Sequence, residues 1–315
     1  MNLGSNLPTS DAATPASGAA TRIADFMQRT SIEATRPTQA DAEALREALP
    51  KGAKVFLSAV PKRPLDEVIA SARVIRAAGL TPVPHIAARS FRDISAAFEL
   101  LARLNGEADV RAVLVIGGDL PSPCGEIMSA QQLIETGVLG RRGIERVGIA
   151  GYPDGHPRMS DEELESTLVT KVAAAQSAGL DVHIVTQFCF EPRVILRWLE
   201  WLRRRGLHLP VDIGLAGPTS LMTWLNYARR CGVRASAEAL ARRSGLVKHM
   251  FNAVAPDPII RALVEALSAD DMDEISPHLF SFGGLGATAR WIAGAARGPI
   301  TLDRDGGFIV TPHAE

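Results

Sequence analysis

The sequence predicts an α/β protein folded as a (β/α)8 TIM barrel, and three observations carry that prediction. From residue 30 onward, eight short apolar runs alternate with longer segments of helical period. Most of the runs are apolar on both faces, the pattern of a parallel sheet covered by helices. A doubly wound open sheet needs fewer strands or a second domain, and no linker-like change of composition interrupts residues 30–300.

The first run, Ser31-Ile32-Glu33-Ala34, leads into a helical segment at 38–49. Lys54–Val60 leads into 65–78, Thr81–Ala87 into 90–104, and Ala112–Ile116 into 129–139. Arg146–Tyr152 precedes a helix at 160–178, and His183–Cys189 precedes one at 191–205. The last two strands are placed at Val211–Ala216 and Leu279–Phe282. Extra helices fill an insertion between strands seven and eight, about 222–270, and one more helix follows Gly286. Residues 1–20 are rich in Ser, Ala, Thr, Pro and Gly and lack periodicity, so they are expected to form a disordered N-terminal arm. The remainder, 21–315, is then a single barrel domain.

Composition narrows the function. With 34 basic and 35 acidic residues the formal net charge is −1, which gives no global field for a polyanion, and the arginines are dispersed. Nucleic acid is not an expected partner. No stretch reaches the roughly 18 apolar residues that a membrane span requires, and the N-terminus lacks a secretory pattern, so a cytoplasmic address is expected. Cys124, Cys189 and Cys231 are widely spaced with no C-x-x-C pair, and are expected to be buried, reduced thiols. No metal site is expected.

In such barrels the active site lies at the carboxyl ends of the strands, so the polar residues just after each run are informative. They are Glu33, then His85 and Arg89 in P-H-I-A-A-R, Asp119 in I-G-G-D-L-P, Tyr152 and His156 in G-I-A-G-Y-P-D-G-H-P, and Gln187 in I-V-T-Q-F-C-F. Each alone has a structural explanation as a helix cap, a turn or a core polar group. Together and in this order they resemble the flavin-dependent methylenetetrahydrofolate reductase family over about residues 30–292. Ala150-Gly151-Tyr152-Pro153 with His156-Pro157 is similar to the family's A-A-Y-P-x-x-H-P, and Thr186-Gln187-Phe188 to its I-T-Q-F-F-F. Gly118-Asp119-Leu120-Pro121 looks like the tail of R-G-D-L-P, Pro84-His85 like the P-H strand end, and Ser31-Ile32-Glu33 like S-F-E. Gly214–Ala228 aligns without a gap to a further family segment.

The resemblance implies an FAD-dependent oxidoreductase of one-carbon metabolism and methionine biosynthesis that interconverts 5,10-methylene- and 5-methyltetrahydrofolate. Glu33 matches the family's general acid, and burial among apolar strand ends is expected to raise its pKa so that it holds a proton near neutrality. Asp119 matches the family aspartate beside the flavin and the pterin, where a buried negative charge is expected to tune the reduction potential and bind folate. The resemblance places His85, Arg89, Gly118, Asp119, Ala130, Ala150, Tyr152, His156 and Lys171 around the flavin. It places Gln187, Phe188, Thr223 and Tyr227, with Glu33 and Asp119, around the folate. The implied partners are a tetrahydrofolate derivative and NADH or another electron partner, with assembly as a homo-oligomer left open. A folate-dependent methyltransferase-type barrel and a non-catalytic folate- or flavin-binding subunit stand as alternatives.

The chain also departs from the family pattern. Gly117 replaces the arginine before Gly-Asp, Ala59 matches the strand-two threonine, and the arginine after the last strand is absent from Phe280-Ser281-Phe282-Gly283-Gly284-Leu285. Ala34-Thr35-Arg36-Pro37 stands where the family has Phe-Phe-Pro-Pro, and Lys171 alone remains of several polar flavin contacts on its helix. Arg89 is the expected substitute for the missing arginine near the flavin phosphates. These changes point to weakened nicotinamide use.

Overall fold

The computed structural model describes residues 15–60, 64–233 and 253–310. Eight parallel strands close into a barrel in sequence order. They are β1 (Ser31–Ala34), β2 (Lys54–Leu57), β3 (Thr81–Ala87), β4 (Ala112–Ile116), β5 (Arg146–Gly151), β6 (Asp181–Thr186), β7 (Val211–Ala216) and β8 (Ile275–Phe280). Pairing of Ser31 with His278 and of Ile32 with both Leu279 and Val55 closes the ring through β1.

The main surrounding helices are α1 (Pro15–Gln28), α2 (Gln39–Ala48), α3 (Leu65–Ala77), α4 (Ile94–Ala108), α5 (Ala130–Glu135), α6 (Val138–Arg141), α7 (Asp161–Ser177) and α8 (Pro192–Arg204). After β7 come α9 (Leu221–Cys231), α10 (Asp257–Ala266) and α11 (Ala269–Glu274), and after β8 comes α12 (Leu285–Arg297). Several starts are written in the sequence. Thr38 with Asp41 and Ser160 with Glu163 form capping boxes before α2 and α7, and Asp93 accepts from Ala96 N before α4. The expected helix at 129–139 is divided into α5 and α6 by Gly137, whose φ of 69° breaks the helical path.

Two expectations need correction. The supposed arm at 1–20 is helical from Pro15, because Ile23, Phe26 and Met27 lie at helical spacing and are wholly buried as α1 packs against α12 and α10. Arg22 reinforces it by donating to Leu267 O at 2.6 Å, while residues 1–14 lie outside the described residues. Strand eight begins at Ile275 and not at Leu279. Ser276, Pro277 and His278 interrupt the apolar run and so read as loop, yet Pro277 pairs with Ile213 and His278 is fully buried. Within the expected insertion, residues 234–252 lie outside the described residues.

Alternation along the strands divides the core. Outward side chains such as Ile32, Val55, Ile86, Val113 and Ile149 join the large layer between barrel and helices. Inward ones stack in tiers. Near the amino ends Lys54 Nζ donates to both oxygens of Asp212, at 2.7 and 3.0 Å, with His183 Nε2 3.8 Å from that carboxylate. Phe56, Val83, Leu114 and Val185 form an apolar plug. Polar groups return toward the carboxyl ends.

Strands β6 and β7 meet so closely that only glycine fits at 214. Gly214 N donates to Thr186 Oγ1 at 2.8 Å, and a Cβ there would lie 2.3 Å from Thr186 O. Gly214→Ala is therefore expected to destabilise the barrel by about 3 kcal/mol, read as a lower urea midpoint, because backbone and not a flexible side chain must give way.

Candidate active site at the barrel mouth

A cleft of about 1310 Å³ opens at the carboxyl ends of the strands. It gathers Glu33, His85, Arg89, Gly118, Asp119, Ala130, Ala150, Tyr152, His156, Lys171, Gln187, Phe188 and Tyr227 from segments far apart in sequence. Thr223 is not among its lining residues. Its backbone N donates to Ser220 Oγ and its hydroxyl pairs with the same atom at 2.9 Å, so it serves the start of α9.

At the end of β1, Glu33 receives groups from three other parts of the chain. Ser58 Oγ donates to Oε1 at 2.6 Å, His278 Nε2 lies 3.4 Å from Oε2, and His85 Nε2 lies 3.5 Å from Oε2. Among the described residues, that His85 nitrogen has no hydrogen-bond partner. Ser281 Oγ donates to Glu33 O at 2.5 Å, which ties the strand end to the loop after β8. Burial opposes the charge on Glu33, but His85, His278 and Ser58 together outweigh it and hold the carboxyl below its ordinary range. The expected raised pKa is thus reversed. Desolvation was foreseeable from the apolar strand ends; two imidazoles and a hydroxyl converging from β8, β3 and the loop after β2 were not. His85 itself is pushed below its ordinary range by burial, with Glu33 opposing the shift.

Asp119 lies exposed in the loop after β4 and not as a buried charge. Gly118 before it has a φ of 95°, and a Cβ there would sit 3.1 Å from Ala87 Cβ, so the turn and the close approach both favour glycine. Asp119 still acts across the mouth. Burial and then its negative charge raise the pKa of Tyr152. Tyr152 meets His156 edge-on at 5.2 Å, and burial followed by the Arg158 charge lowers the pKa of His156.

Among the cations lining the same cleft, Arg89 and Lys171 stand out. Arg89 Nη2 donates to Pro121 O at 2.9 Å, while its buried Nε has no hydrogen-bond partner among the described residues. Lys171 is buried on α7, where Nζ lies 3.5 Å from Ala150 O. No acidic side chain lies within ion-pair distance of Lys171 among the described residues, and burial lowers its pKa from 10.5 to about 8. Between those values the unfolded chain holds the proton more tightly, so stability should rise with pH from about 8 to 10.5. Lys171→Met is expected to stabilise the ligand-free protein at pH 7 by on the order of 3 kcal/mol and to flatten that rise, measured by urea unfolding at neutral and alkaline pH.

The opposite wall is aromatic. Phe188 is buried against Phe190, Phe280 and Phe282, and Tyr227 stacks on Phe282 at 3.9 Å. Gln187 turns its side-chain carbonyl back to accept from Phe188 N at 3.1 Å. Of the cysteines only Cys189 is buried; Cys231 is half-buried in the cleft, with burial pushing its thiol up to about 11, and Cys124 is exposed because it lies in the loop after β4.

Sequence reasoning missed His278, Ser58 and the indoles of Trp198 and Trp201, which also line the cleft except for the deeper His278. The signal for His278 was present: Pro277-His278 repeats the Pro84-His85 pair of β3. Trp198 and Trp201 were concealed in a helix that reads as ordinary amphipathic packing.

No family model matches the chain. A solved structure with a similar fold is the dihydropteroate synthase FolP from Thermus thermophilus, at 17% identity and a TM-score of 0.45, covering 84% of this chain and 90% of that one. Among the described residues, no helix is long and apolar enough to cross a membrane, and no three or more His, Cys, Asp or Glu are arranged to hold a metal ion.

Proposed function

We propose that the protein is a flavin-dependent oxidoreductase interconverting 5,10-methylene- and 5-methyltetrahydrofolate. The observation that carries this reading is one cleft that holds a largely buried carboxylate with convergent donors together with Arg89 and Lys171, neither of which has an anionic partner among the described residues. Its volume of about 1310 Å³ exceeds the roughly 300–1,000 Å³ typical of single small-molecule pockets, which suits a dinucleotide and a second ligand together.

The residues present fit FAD. The unpartnered Arg89 Nε and the buried Lys171 ammonium suit its phosphates, and Tyr152, His156, Gly118, Ala130 and Ala150 supply the surrounding surface. When bound, a flavin supplies the hydride chemistry that no side chain performs. The chain's own residues do the rest. Glu33 exchanges a proton with the folate nitrogen that leaves or rejoins the one-carbon bridge. Gln187 and Tyr227 border the space for the pterin, and the aromatic wall behind them excludes water. His85, matched to a flavin contact by sequence, belongs with Glu33 by position.

Absorbance tests this reading. Purified protein should show flavin bands at about 450 nm that bleach on mixing with methyltetrahydrofolate, and bleach more slowly with NADH or NADPH. The weaker nicotinamide reaction is expected from Gly117, Ala59 and the altered loop after β8. Rapid bleaching by NADH would overturn the donor preference. A colourless protein that binds methyltetrahydrofolate but cannot be reconstituted with FAD would favour methyl transfer without a flavin.

A further inference from the structure

Behind Glu33 lies a second layer that the proposed chemistry has not used. His278 on β8 is fully buried, with Nδ1 2.9 Å from Ser31 Oγ and Nε2 3.4 Å from Glu33 Oε2. The ring is also set by Phe56, which meets it edge-on at 4.7 Å. If Nε2 carries the ring proton it faces the carboxylate, and Nδ1 then accepts from the Ser31 hydroxyl. Every polar atom of His278 is satisfied in that one tautomer. Across Glu33, His85 brings a second imidazole to the same carboxylate oxygen.

We propose that His278, pinned by Ser31, is a positioning residue for Glu33, and that His278, Glu33 and His85 form one proton-holding unit. A proton arriving at the carboxylate is shared with the imidazoles instead of residing on an isolated acid. In ring opening, the carbon–nitrogen bond breaks with its electron pair left on nitrogen, and Glu33 gives that nitrogen its proton. An imidazolium of the unit then restores the proton to the carboxylate. Ring closure returns the proton by the same route, so only a proton moves. The inference rests on the folate reading solely for the nitrogen that receives it.

The groups acting on Glu33 are Ser58 after β2, His85 of β3 and His278 of β8; from α9, the Cys231 thiol also feels its charge. His85 is acted on by Glu33 and His278. The unit is therefore local, and its coupling is measurable without flavin or folate.

The test is histidine-selective ¹⁵N NMR of the full, ligand-free chain, titrated across the range where imidazoles protonate. His278 is expected as the Nε2–H tautomer while neutral, and Ser31→Ala should convert it to a mixture. Glu33→Gln should lower the His85 midpoint by about one pH unit, because an attracting charge is lost. A His278 proton on Nδ1, or a His85 midpoint unmoved in Glu33→Gln, would overturn the proposal. Should Glu33→Gln fail to fold, Ser31→Ala serves instead: a shifted His85 midpoint supports the unit, and an unchanged one overturns it. In the folate half-reaction, His278→Gln should lower kcat about tenfold and displace its pH profile, with KM within about twofold. An unaltered pH profile counts against the unit. Failure of methyltetrahydrofolate to bleach the wild-type protein counts against the folate reading alone and leaves the outcome of the NMR titration standing.

Discussion

Glu33→Gln is expected to slow folate turnover by roughly 100-fold or more while flavin and folate remain bound. The amide preserves the shape of the side chain and can still accept from Ser58, but has no acidic proton to exchange. Stopped-flow measurement of the folate half-reaction, beside a flavin spectrum and a folate titration of the same variant, checks both halves of the expectation. Near-normal turnover would remove Glu33 from the chemistry. Because Ser58 and the two imidazoles hold the wild-type carboxyl below its usual range, the reductive direction should also weaken as pH rises, whereas the glutamine variant should lack that dependence.

The second large effect is on stability. Lys54→Met should cost about 3 kcal/mol, roughly 5–10 °C in Tm, because Asp212 is buried and loses both hydrogen bonds from the ammonium. His183, 3.8 Å away, can relieve part of the penalty by taking up a proton. Replacing both partners in Lys54→Met/Asp212→Leu should recover most of the loss, since a carboxylate left alone is more damaging than an apolar pair. Thermal melts of the two single variants and the double variant provide the check. A Lys54→Met protein melting with the wild type would show that the pair contributes nothing.

The fold was legible because a parallel barrel repeats its apolar runs, and β1, β3, β4 and β7 have the bounds that pattern implies. Strand eight was obscured by Pro277 and His278, whose tolerance depends on neighbours β7 and β1 that no local pattern reveals. For α1, three apolar residues among Ala, Ser and Gly gave too short a signal. The rule that polar groups cluster after parallel strands located the mouth. It did not give the protonation of Glu33, which depends on side chains from strands far away in sequence. Thr223 illustrates the converse: a polar residue at an aligned position is already engaged by its own helix start.

The apolar plug of Phe56, Val83, Leu114 and Val185 divides the barrel interior into two chemically separate compartments. Beneath it, burial lowers the His183 pKa to about 4, so below its ordinary value of 6.5 the unfolded chain takes up a proton that folded His183 resists. His183 therefore favours unfolding progressively as pH falls from 6.5 toward about 4. Above the plug, other histidines surround Glu33. Acid sensitivity is thus shared by His183 below the plug and His85 above it, whereas contact with Glu33 belongs to the upper histidines, so the upper compartment can change its chemistry while the Lys54–Asp212 pair below continues to hold the fold.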